Sequence, residues 1–242
     1  MIGELMKFVK KFFKWIGIII WVFLIFAIMQ VPQVETTPTY EFEGWKEFHE
    51  IMRQISIPHH IFLMVLFTII TLIMEWFLCK WVGNKLDLTK KMTLKKWIWG
   101  IVGGITSYLI AKLLLIDQSQ STGTNIYSAT AQTALAIPMF IAIVMIAPVL
   151  EEFLFQAAIQ KGIFKKLNPW IAIILTSMFF GLAHTGEFNF TFWNIFISGG
   201  VPFAFIYQET DDIKTPIIAH SVNNLIPFIV AYVPYILSLV KM

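Results

Sequence analysis

Cysteine is nearly absent: Cys79 is the single thiol in 242 residues. That excludes an internal disulfide framework and leaves no thiolate cluster for a structural metal. Near the end of an apolar run, Cys79 reads as a small buried hydrophobe. Charge is scarce too, at 14% of residues. No internal repeat, low-complexity tract or separate soluble domain is present, so function has to come from whatever the apolar segments build together. Those segments dominate: 57% of the chain is hydrophobic and 16% aromatic, more apolar surface than one soluble core of this length would bury. The composition predicts an all-α, polytopic transmembrane helix bundle in a cell membrane, surrounded by lipid and with no nucleic-acid partner.

Lysine placement orients the bundle. Lys7, Lys10, Lys11 and Lys14 precede a long apolar run at about residues 15–31, and the intervening apolar residues predict a short amphipathic stretch on an anionic leaflet. The run is followed by VPQVETTPT rather than a small-residue cleavage site, so it reads as an uncleaved span with a cytoplasmic N-terminus. Residues 32–60 are acidic and belong outside. A second span at 61–81 returns the chain to a connection carrying Lys80, Lys85, Lys90, Lys91, Lys95 and Lys96, the strongest cytoplasmic signal in the sequence. A third span at about 97–116 leads to a polar outer loop, residues 117–130.

The fourth span begins near Ala131 and, if helical to Lys161, is about 45 Å long, so it must tilt, bend or protrude from a layer of about 30 Å. Pro148 supplies a bend. Counting back from Lys161 puts Glu151 about 15 Å inside the membrane. A fifth span from Pro169 reaches His184, and a sixth follows through residues 190–207, where Gly199, Gly200 and Pro202 invite close contact or a break. The acidic turn QETDDIK precedes a seventh helix that opens at Pro216 and carries His220, Asn223 and Asn224. Seven spans are expected, within a range of six to eight.

Ionisable groups at membrane depth are functional candidates, because each is expensive to bury without a partner or a polar cavity. Two adjacent carboxylates, Glu151 and Glu152, cannot both ionise cheaply, and such a group can take a proton from water. His184 and His220 could polarise that water or donate to an oxyanion, and Asn224 offers an amide donor. Together they could hydrolyse an amide if three helices converge. Glu75 and Lys112, inside the second and third spans, read as a structural pair or as residues near the span edges rather than as catalytic groups. His59 and His60 read as surface residues.

The succession EEFLFQ, FGLAH and HSVNN resembles the three motifs of the CPBP intramembrane proteases, the CAAX-protease-like or Abi family: Glu-Glu-x-x-x-Arg, Phe-x-x-x-His and His-x-x-x-Asn. Glu151 and Glu152 match the first, Phe180 and His184 the second, His220 and Asn224 the third. The resemblance covers residues 130–230 and divides the chain into an N-terminal transmembrane region, 1–125, and a CAAX-protease-like catalytic core, 126–242. It implies a glutamate-dependent endopeptidase that needs no cofactor, in which Glu151 activates water with His184, and His220 with Asn224 stabilises the oxyanion. Glu152, Gln156, Phe180 and Asn223 are then supporting residues. Gln156 stands where the family has arginine, and supplies neither a fixed charge nor a guanidinium fork. The implied partner is a peptide or membrane-protein substrate, as in bacterial leader-peptide, pheromone or bacteriocin processing. Three other readings stand beside it: a zinc site of Glu151, His184 and His220, a catalytically silent scaffold or bacteriocin-immunity protein, and an ion-coupled transporter.

Overall fold

A computed structural model describes residues 2–36, 56–114 and 133–240, with side chains described from residue 3 to 230. The expected outer loop at residues 117–130, and the acidic connection from residue 37 onward to 55, lie outside the described residues. Helix α1 (Ile2–Met29) continues into a short helical turn, Val31–Val34. There follow α2 (Ile57–Val82), α3 (Leu94–Leu114), α4 (Ala136–Ile163), α5 (Pro169–Thr185), α6 (Phe190–Thr210) and α7 (Lys214–Val240). The chain is an all-α, membrane-spanning bundle.

Among the described residues five helices are long and apolar enough to cross a bilayer: Gly3–Val34, α2, α3, α4 and α6. This corrects the expected six to eight spans to five by length and composition. Helix α5 is apolar but has only 17 residues, about 25 Å of rise against a hydrocarbon layer of about 30 Å. Helix α7, whose described side chains end at residue 230, is not in the set either.

Helix α4 is central. In its most apolar stretch 61% of residues are buried, against 17% in α1 and α3, and every residue from Glu151 through Gln160 is enclosed. Large side chains on α1 to α3, such as Phe23, Phe62 and Val102, instead face outward, as lipid-contacting surfaces do. Two π-helical stretches, Ile141–Ile146 and Phe153–Ile163, flank the α-helical turn Ala147–Glu152. In the i→i−5 register residue 148 would bond the Ile143 carbonyl, but Pro148 has no N–H. The Asn224 amide donates to that carbonyl instead, at 3.0 Å. Asn84 likewise donates to the Ala157 carbonyl at 2.7 Å within the second π stretch. Side chains of neighbouring elements thus satisfy carbonyls where α4 departs from α geometry.

Small residues set how closely the other helices approach. A Cβ at Gly104 would lie 2.3 Å from the Ala219 carbonyl oxygen, and one at Gly100 would lie 3.2 Å from that of Thr215. Without side chains there, the backbone of α7 packs directly on α3, which fixes the residue after Ala219, His220. Gly200, in a π-helical turn of α6 (Phe196–Gly200), similarly meets Ser177 of α5.

At one end of the bundle, the connections 83–93, 164–168 and 211–213 meet. Lys90 and Lys161 hold Asp211, while Lys96 (2.8 Å) and Lys214 (3.8 Å) hold Asp212, which is fully buried. Asp212 also accepts the Lys214 backbone N–H at 3.2 Å, tying the start of α7 to its preceding turn. The acidic turn QETDDIK therefore sits against the lysine-rich connection.

Candidate active site

The candidate side chains come from three helices, α4, α5 and α7, and are aimed by local features. Glu151 and Glu152 occupy the short α-helical turn between the two π stretches of α4. On α5, Asn168 accepts the Trp170 backbone N–H at 2.9 Å and Pro169 opens the helix, so the cap satisfies one free N–H of the first turn and the proline has none to satisfy. That helix stops at Gly186, whose φ of +71° suits a residue without Cβ. His184 thus lies in the last turn, where its side chain keeps 35% of its exposure. His220 lies in the first half of α7, next to Ala219, which packs on the α3 glycines, and is buried.

The three elements converge on one carboxylate. Glu151 Oε2 is 3.5 Å from His184 Nε2 and 3.9 Å from His220 Nε2. Both separations are longer than a normal direct hydrogen bond, so the three polar atoms face a common point without pairing off tightly. His184 Nδ1 is 2.8 Å from the Phe180 carbonyl oxygen. A carbonyl only accepts, so Nδ1 carries the hydrogen, and in neutral imidazole Nε2 presents a lone pair. His220 Nδ1 is 2.9 Å from Glu152 Oε1, so an ionised Glu152 orients the second imidazole in the same sense. Adjacent glutamates therefore do different things: Glu151 faces two Nε2 atoms, and Glu152 grips the far side of one ring.

Aromatic rings fix the imidazoles. The buried Phe180 ring lies 4.5 Å from that of His184 and 5.8 Å from that of His220, between centroids, so one phenyl touches both. Phe203 stacks on His220 at 4.6 Å with planes 20° apart. Offset and edge contacts at these separations are favourable, and they leave each ring little freedom to turn.

Several sequence expectations change in detail. Asn224 has one amide hydrogen committed to Ile143 and its oxygen accepting from Asn223 at 3.1 Å, so it braces α4 whatever else it does. Gln156 is fully enclosed beside Glu152, with neither amide atom in good hydrogen-bond geometry. The expected Glu75–Lys112 pair does not form. Lys112 lies over the Tyr108 ring at 5.8 Å, whereas Glu75 is fully buried, has neither carboxyl oxygen hydrogen-bonded and interacts electrostatically with Glu151. Lys112 lies in the last turn of α3. His60 is no simple surface residue, since its Nδ1 lies 2.7 Å from Glu35; His59 is exposed.

Gln33 was missed altogether. From the turn after α1, its Nε2 donates to Glu151 Oε1 at 3.2 Å. The only signal in the sequence was a glutamine beside a proline at the end of an apolar run. Among the described residues no group of three or more His, Cys, Asp or Glu side chains is placed to hold a metal ion, the Glu151, His184 and His220 set included.

Over residues 133–226 the chain matches the family described as type II CAAX prenyl endopeptidase Rce1-like. It is 29% identical over 126 residues to the putative membrane peptidase YdiL of Bacillus subtilis (strain 168), a match covering 52% of this chain and 47% of that protein. It is 30% identical over 154 residues to the membrane-embedded CAAX protease MroQ of Staphylococcus aureus (strain USA300), covering 58% of this chain and 61% of the relative. The matches span about half to three-fifths of these curated relatives. No solved structure gives a significant match.

Proposed function

We infer, from the premise that this chain belongs through residues 133–226 to the Rce1-like CAAX-protease family of membrane proteases, that it is an intramembrane endopeptidase. The observation that carries the reading is the buried Glu151 carboxylate facing two imidazole Nε2 atoms at 3.5 and 3.9 Å. A water held between these groups donates one hydrogen to Glu151 and the other to His184. Its lone pair is then free for the scissile carbonyl.

As the water oxygen bonds to the carbonyl carbon, the C=O electron pair moves to oxygen and Glu151 takes the water proton. The oxyanion forms next to His220, which in its imidazolium form donates from Nε2, with the Glu152 carboxylate as counter-charge at Nδ1. Collapse of the intermediate breaks the C–N bond, and the proton held by Glu151 passes to the leaving amine. Asn224 and Asn223 hold α4 and α7 in register for this step, Phe180 fixes both rings, and Gln156 supports Glu152. Water and both glutamates are sequestered, while the partly exposed edge of His184 is where a peptide reaches the site.

Residues 126–242 form the catalytic core in this reading, and 1–125 the flanking membrane region. The substrate is a membrane-associated or leader peptide. The lysine-rich end lies in the cytoplasm, and with it the N-terminus, by the charge rule.

The test compares newly formed peptide termini in cells producing equal amounts of wild type, Glu151→Gln and His184→Ala, sampling membranes and secreted peptides, followed by reconstitution of purified protein. A cut present with wild type alone supports the endopeptidase. Identical termini in all three, with the cellular phenotype intact, favour a silent scaffold.

A further inference from the structure

The active-site glutamate has a contact from outside the matched family region. Gln33 lies 118 residues before Glu151, in the turn Val31–Val34 that caps α1. That turn is a strap held at several points. Pro32 and Thr36 are buried, and the Thr36 hydroxyl donates to the Pro32 carbonyl at 3.0 Å. Glu35 pairs with His60 at 2.7 Å, anchoring the strap to the first turns of α2. A glutamine on a restrained strap presents its amide at a set place.

The geometry points to Gln33 as a positioning residue for Glu151: by donating to Oε1 it fixes the carboxylate rotation that leaves Oε2 facing His184 and His220. The inference rests on the endopeptidase reading of this site. Its physical content is separable. The groups facing Glu151 are His184 from α5, His220 from α7, Glu152 on its own helix and Glu75 from α2. Gln33 is the neutral donor in that set, and it touches the carboxylate oxygen that the imidazoles do not. A carboxylate rotates about its last bond over a broad range of angles, so without this donor Oε1 and Oε2 exchange places and the productive orientation is one of several. Donation from an uncharged amide also favours the ionised over the protonated acid, the form needed to take a proton from water.

The experiment reads Glu151 directly. Wild type, Gln33→Met, Gln33→Glu and His60→Ala are purified into lipid nanodiscs, and carboxyl infrared bands are titrated, with the Glu151 band assigned as the one lost in Glu151→Gln. Gln33→Met, similar in size and unable to donate, should titrate about one pH unit higher than wild type, the equivalent of one hydrogen bond. Gln33→Glu should titrate higher still. His60→Ala, which keeps the amide but frees the strap, should move part of the way. Equal midpoints in wild type and folded Gln33→Met would overturn the assignment, and if that variant fails to fold, an unshifted midpoint in His60→Ala would do so. On the peptide identified by the cleavage comparison, Gln33→Met should lower kcat about tenfold with KM unchanged. Should Glu151→Gln cleave like wild type, the endopeptidase reading falls, while the infrared titration still decides whether Gln33 holds Glu151.

Discussion

Asp211 and Asp212 lie against four lysines at the end of the bundle where its connections meet, whereas Glu151 and Glu152, enclosed within it, meet imidazoles and a neutral amide. Both regions pair two adjacent acids with groups from distant parts of the chain. At the end of the bundle each acid has full positive charges beside it, and the pairs fasten connections together. Inside, the partners are themselves able to gain or lose a proton, so charge can move. Fixed counter-charge makes a clasp, and titratable counter-charge makes chemistry.

The largest way to break this contrast is to remove the acid that does the work. Glu151→Gln keeps shape and hydrogen-bonding capacity but cannot take a proton from water, and cleavage should fall on the order of 10³-fold, measured on the purified protein with its melting temperature unchanged. His220→Ala should affect activity and folding together. It leaves the fully buried Glu152 without its imidazole, which costs about 3 kcal/mol, so the variant melts well below wild type. Asp212→Ala is the counterpart at the lysine-rich end. It removes a buried clasp and a helix-start acceptor but leaves Lys96 and Lys214 within reach of water, so stability should drop by about 2 kcal/mol with the Glu151 site intact. Cleavage retained per folded molecule would sharpen the distinction between clasp and chemistry.

Asp211 should show the smallest effect. Partial burial works against its charge, but hydrogen bonds from Lys161 and Lys90 hold its carboxyl below the ordinary aspartate range. A lowered folded value means the contribution is present above the unfolded pKa of about 4 and is lost as pH falls through the folded one. The side chain is 66% exposed, so screening leaves about 0.5 kcal/mol or less. Asp211→Asn, which also tolerates the left-handed backbone here (φ 48°), should flatten the acid limb of a stability-against-pH curve slightly and leave the neutral region unchanged.

The acidic turn QETDDIK shows why one kind of information was out of reach. The charge rule prefers lysine at such a turn, although acidic residues weigh little in it. In the fold, Asp211 pairs with Lys90 and Asp212 with Lys96, each more than a hundred positions away, and the pairing depends on which connections meet at that end. Helix α5 shows another limit. Its apolar run gives a helix ending near His184, but whether 17 residues plus their caps cross a bilayer depends on packing, and length alone leaves it short.

Much was legible in the linear order of residues. Hydropathy set the bundle, because continuous apolar runs of this length satisfy their backbone in lipid as helices. Buried charge singled out Glu151, His184 and His220, since such groups are too costly to keep without a role or a partner. Only the tertiary structure decided what each meets. Helical spacing says which residues share a face, but not which face of another helix opposes it. So Gln33 on Glu151, Phe203 on His220, Asn224 on the carbonyl that Pro148 cannot bond, and an enclosed Glu75 without Lys112 were all set by packing across the bundle. Glycines that let α3 and α7 touch set the position of α7, which carries His220 and Asn224, a condition that spacing along the chain does not encode.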